Sequence, residues 1–172
     1  MNGQARDGSA RDSFRLRRSA ARLACVQALY EIDVSGASSD PVLREFLTDR
    51  WKNTGSGSTA AEPDGPFLTD LVRGVCTQSL RLDREINAAL DDWTLERLEI
   101  LLRAILRAGA FELAERPDIP SRVVINEYVD VAHAFFAGKE TALVNAVLDR
   151  LSRTLRAPQG DPGRDEDKSD SR

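Results

Sequence analysis

The sequence is poor in the side chains that most often carry catalysis. His133 is its only histidine, and Cys25 and Cys76 are its only cysteines. One imidazole and two scattered thiols cannot make a zinc site of recognised spacing. A lone histidine in a helical pattern is ordinarily a surface or packing residue. No Gly-rich phosphate loop and no nucleophile elbow occurs. Gly55-Ser56-Gly57-Ser58 lacks a flanking strand and a lysine, so it reads as a linker. Asp91-Asp92 and Asp165-Glu166-Asp167 read as a solvated turn and a solvated tail. The expectation is a protein that is not an enzyme and uses no cofactor and no metal.

Other absences narrow the class. No apolar run approaches the roughly 20 residues that span a bilayer. Met1 to Ser13 has no apolar core of a secretory signal. The expected location is the cytoplasm, where both thiols stay reduced. No segment alternates polar and apolar residues long enough to argue for a strand. Lysine is scarce, 3 against 21 arginines; that skew alone carries no functional weight.

What is present is 172 residues, 41% hydrophobic and 30% charged, enough for one domain with a real core. The net charge of −4 hides an asymmetry. Residues 1–22 carry six arginines against two aspartates, whereas residues 157–172 carry five acids against three bases. A basic arm on an acidic body can meet a polyanion at one end and a basic protein elsewhere.

Residues 1–13 are polar and aperiodic, and read as disordered. From Ser19, apolar residues recur at helical spacing through Val34, and Ser35-Gly36 ends that helix. Asp40-Pro41 suggests an N-cap and first turn for a short helix reaching about Trp51. Residues 53–66 read as a loop. Phe67 to Leu90 follow as a long amphipathic helix. Thr94 suggests the next N-cap, with Trp93 and Leu98 as a hydrophobic staple. The apolar face from Leu95 to Leu113 is broad enough for a central helix. Pro120-Ser121 starts another helix, Gly138 stops it, and Leu143 to Leu151 mark the last. The expected fold is all-α: one domain of six or seven helices over residues 14–156, then a disordered acidic tail, 157–172.

Three constellations could carry binding. Arg15, Arg17, Arg18 and Arg22 could grip phosphates through guanidinium forks, or could simply solubilise a tail. Gly138-Lys139-Glu140-Thr141 opens a helix, whose free N–H groups favour anions, with Lys139 and Thr141 adding a charge and a hydroxyl. Phe135 or Phe136 could stack on an unpaired base there, or both could be core residues at a plain corner. Asn126 and Asn145 interrupt apolar helical stretches, where asparagine is unfavourable. Asn126 suggests a lock between helices, whereas Asn145 fits a lock or a ligand contact.

Four segments together resemble the NusB family of transcription antitermination factors. They are Ala24-Cys25-Val26-Gln27-Ala28-Leu29-Tyr30, Arg103-Ala104-Ile105-Leu106-Arg107-Ala108-Gly109-Ala110-Phe111-Glu112-Leu113, Ile125-Asn126-Glu127 and Val144-Asn145-Ala146-Val147-Leu148-Asp149. They stand in the family's order and cover roughly residues 15–155. The resemblance implies two packed helical subdomains and binding to boxA-type single-stranded RNA of the ribosomal leader. It implies a heterodimer with the small ribosomal subunit protein NusE, which joins an RNA polymerase antitermination complex. Self-association in some family members makes a homodimer a further expectation. By position, Arg15, Arg17, Arg18, Arg22, Gln27, Tyr30 and the Lys139–Asn145 corner would form the RNA surface. The chain departs from the family pattern at Leu102, Ala142, Leu143 and Ala146, where an acid, a lysine, a phenylalanine and a glycine are usual. Competing readings are a helical protein-interaction module without RNA binding, and an accessory domain like the N-terminal part of rRNA cytosine-5 methyltransferases.

Overall fold

A computed structural model describes residues 3–48 and 61–156. The Gly-Ser linker, the expected helix end at Trp51 and the acidic tail lie outside the described residues. The chain forms α1 (Gly3–Ser35), α2 (Ser39–Thr48), α3 (Gly65–Ala89), a 3₁₀ turn (Leu95–Arg97), α4 (Ile100–Glu115), α5 (Ser121–Phe135) and α6 (Lys139–Leu155). No strand occurs among the described residues. None of their helices is long and apolar enough to cross a membrane.

α4 occupies the centre and packs against α1, α3, α5 and α6. It is buried without a break from Ala108 to Leu113, which explains its broad apolar face. α2 covers α1 and α3 on one side, and α5 and α6 pair on the other. Burying each leucine of this core contributes about 1.5–3 kcal/mol. Two glycines set close approaches around α4. Gly74 of α3 lies directly under the ring of Phe111. At Gly109, a Cβ would stand 2.8 Å from Leu148 of α6.

Three boundaries differ from the sequence reading. α1 begins at Gly3, well upstream of Ser19, where the apolar spacing begins. Ala5, Ala10 and the arginines there favour helix, and extending a formed helix avoids a new nucleus. Thr94 makes no side-chain cap, Trp93 is 57% exposed, and α4 starts only at Ile100. Leu95 is instead held in the 3₁₀ turn by its N–H donating to Asn87 Oδ1 at 2.7 Å. α3 begins at Gly65 because Asp64 accepts the Phe67 N–H at 3.1 Å and Pro66 needs no partner in the first turn. Elsewhere the punctuation falls as expected: α5 starts at Ser121, and Gly138, at φ +106°, separates α5 from α6.

Candidate nucleic-acid interface

α1 presents two faces with different work. Arg18 and Arg22 turn toward the body. Arg18 Nε donates to Asp64 at 3.2 Å, and its guanidinium lies 4.9 Å from the Phe14 ring and 4.0 Å from the Phe67 ring. Arg22 is only 3% exposed. Its Nε donates to Glu112 Oε2 at 3.0 Å and its Nη2 to Glu112 Oε1 at 2.5 Å. Its Nη1 also lies 3.3 Å from Glu127. Burial opposes the charge on Arg22, but the hydrogen bonds and charge of Glu112 outweigh it and hold the guanidinium firmly protonated. Arg22 is therefore a buried ion-pair partner, not an exposed phosphate contact.

Glu112 also accepts the Tyr128 hydroxyl at 3.0 Å. Burial, then the Glu112 charge, pushes the Tyr128 phenol well above its ordinary value. Sequence reasoning did not single out Glu112 as a functional residue. The signal was available: a carboxylate within the apolar run of α4, opposite an arginine on the same stripe as Cys25, Val26 and Leu29.

The other face of α1 is open. Arg15 and Arg17 are exposed, and neither has an ion-pair partner among the described residues. Arg17 leads into the stripe Ala20, Ala24, Gln27 and Glu31, which forms one wall of a groove of about 1110 Å³. Leu23, Tyr30 and Val34 widen that wall. Ile100 and Leu101 of α4 and Phe135 of α5 line the groove as well. Gln27, Tyr30 and Phe135 thus share one concavity, with Tyr30 43% and Phe135 42% exposed. The charged residues lining it are Glu31 and Glu99.

At the start of α6, Lys139 and Asn145 are exposed. Thr141 is not: it is 6% exposed, and its Oγ1 is buried without a hydrogen-bond partner. Its hydroxyl cannot reach a surface ligand as it stands. No side chain caps the helix start at Gly138. Asn126 is exposed on α5 and makes no side-chain hydrogen bond, so it does not lock two helices. Leu102 is 4% exposed and belongs to the core.

Fold and site together define a small all-helical protein with an open groove lined mainly by its first, fourth and fifth helices. The chain belongs to the NusB family, whose model matches residues 19–153. It is 49% identical over 140 residues to a Caulobacter vibrioides protein described as transcription antitermination protein NusB, covering 81% of this chain and 94% of that one. A Bradyrhizobium sp. (strain ORS 278) protein of the same description is 46% identical over 147 residues, covering 85% of this chain and 88% of its own. Among solved structures, T. maritima NusB superposes with a TM-score of 0.67 at 26% identity, covering 79% of this chain and 90% of that chain. A structure of antitermination factors NusB and NusE in complex with dsRNA gives 0.63 at 22% identity, covering 80% and 97%, and shows the shared fold.

Proposed function

We propose that this chain is a transcription antitermination factor of the cytoplasm. It binds boxA-type single-stranded RNA of rRNA leader transcripts together with the small ribosomal subunit protein NusE. The pair joins an RNA polymerase antitermination complex and so supports rRNA transcription and ribosome biogenesis. The observation that carries the RNA reading is the meeting of Gln27, Tyr30 and Phe135 in one groove. Tyr30 and Phe135 offer stacking faces for unpaired bases, and Gln27 can donate to and accept from a base edge. A groove with carboxylates at Glu31 and Glu99 suits bases rather than phosphates. The backbone would instead track the exposed Arg15, Arg17 and Lys139.

The test is a titration of labelled boxA RNA and a scrambled control, with and without NusE, at several salt concentrations. Sequence-dependent binding that NusE tightens is the expected result. Equal weak binding to both RNAs, indifferent to NusE, would sink the reading. Arg17→Ala should weaken both RNAs alike and lower the salt slope by about 0.7.

A further inference from the structure

We infer that Arg22, Glu112 and Tyr128 are positioning residues for the RNA groove, clamping its two stacking walls at a fixed separation. The inference rests on the RNA-binding reading and names what holds that site in shape. One wall belongs to α1, through Gln27 and Tyr30; Phe135, which lines the same groove, belongs to α5. α1 and α5 meet over fewer residues than either meets α4. The polar link between them is the carboxylate of Glu112 on α4, which takes Arg22 from α1 and Tyr128 from α5. Arg22 adds a direct tie to Glu127 of α5 at 3.3 Å.

The clamp lies on the same helices as the walls it holds. Tyr30 stands eight residues after Arg22 and Phe135 seven after Tyr128, roughly two turns or about 11–12 Å along each helix axis. A tilt of about 5° at the clamp therefore moves a wall by about 1 Å, enough to spoil a stack. All three residues are at most 3% exposed, so they act on RNA only through the helices. Apolar packing alone tolerates small shifts, whereas a bidentate guanidinium–carboxylate pair fixes both distance and angle.

A direct contact and a positioning role leave different signatures. Losing a phosphate contact lowers the salt slope by about 0.7 and spares sequence preference. Losing position lowers affinity and preference and spares the slope. The variants are Tyr128→Phe, which removes only a buried hydroxyl, and Arg22→Gln with Glu112→Gln, which removes both charges together. Arg17→Ala serves as the contact reference, and melting curves check each fold.

Tyr128→Phe should bind boxA about fivefold more weakly, with reduced preference over the scrambled RNA and an unchanged slope. The Gln pair should do the same, more strongly. On a Phe135→Ala background, Tyr128→Phe should cost little further affinity, because the stack it positions is gone. Additive losses in that cycle, wild-type binding by Tyr128→Phe, or a lower slope in the Gln pair would each overturn the inference. If the Gln pair does not fold, the Tyr128→Phe cycle decides alone. Wild-type protein that fails to distinguish the two RNAs overturns the RNA reading itself, and the positioning role with it.

Discussion

At the level of single residues, Glu112 concentrates the cost and the order of the molecule. Its carboxylate has no solvent exposure, and its bonds to Arg22 and Tyr128 replace the water it gave up. Removing one member of such a pair typically costs about 3–5 kcal/mol, because the other charge stays buried. Gly74 concentrates a different constraint. Gly74→Ala would gain about 0.8–1 kcal/mol of helix propensity. It would also drive a Cβ into the Phe111 ring, and overpacking costs about 1–3 kcal/mol. The second effect should win, so the urea midpoint of Gly74→Ala should fall; a raised midpoint would mean that Phe111 moves aside freely. These residues also mark where sequence stopped being informative. Arg17 and Arg22 look alike in a run of arginines, yet one is exposed and the other buried. Only helical phase separates them, and phase becomes decisive once the partner Glu112, 90 residues away, is known.

At the level of elements, the helix starts that carry their own local chemistry were legible. Ser121 after Pro120, and Gly138 ahead of α6, are backbone signals that need no tertiary partner. The start of α4 was not, because Asn87 of the preceding helix pins Leu95 into the 3₁₀ turn. The end of α4 depends on a distant residue too. Arg156 Nε donates to the Leu113 carbonyl at 2.9 Å, and its Nη2 to the Arg116 carbonyl at 2.9 Å. Its Nη1 reaches the Ile119 carbonyl at 2.6 Å, so one guanidinium closes the turn between α4 and α5. Helix C-termini leave carbonyls without partners, and a cation there is favourable. Arg156→Ala should cost about 1–3 kcal/mol and speed amide exchange across residues 113–120. Exchange at the wild-type rate there would show that the cap is dispensable.

For the whole molecule, the all-helical single core was readable from periodicity, because amphipathic stripes report burial directly. The groove was not, since Gln27 and Phe135 lie 108 positions apart in sequence. Buried titratable groups also give the fold an alkaline limit. Burial pushes the Cys25 thiol well above its ordinary value of 9.0. The Tyr128 phenol is likewise raised well above 10.0, by burial and then by Glu112. Unfolded chains lose these protons first, so the unfolded state binds fewer protons at high pH and stability falls. That stability is whole below about pH 9 and should decline as pH rises through about 9 and then 10. Melting temperature against pH checks this, and Cys25→Ala should flatten the first part of the decline. An unchanged curve for that variant would assign the alkaline loss to other groups.

The continuity of α1 has a consequence for kinetics. Its 33 residues form one rod of about 50 Å, with the exposed Arg15 and Arg17 near its middle and the groove wall further along. An arm built this way does not search like a loose tether. On the proposed function, its charges would be carried to the RNA already spaced and aimed, with little chain freedom surrendered when they arrive. Association should therefore be governed by electrostatic attraction and orientation of a stiff body, with capture by a flexible, folding segment contributing little. Breaking the rod with a proline upstream of Arg15 would leave the groove intact. Breaking it between Arg17 and Gln27 would uncouple the exposed charges from the groove wall.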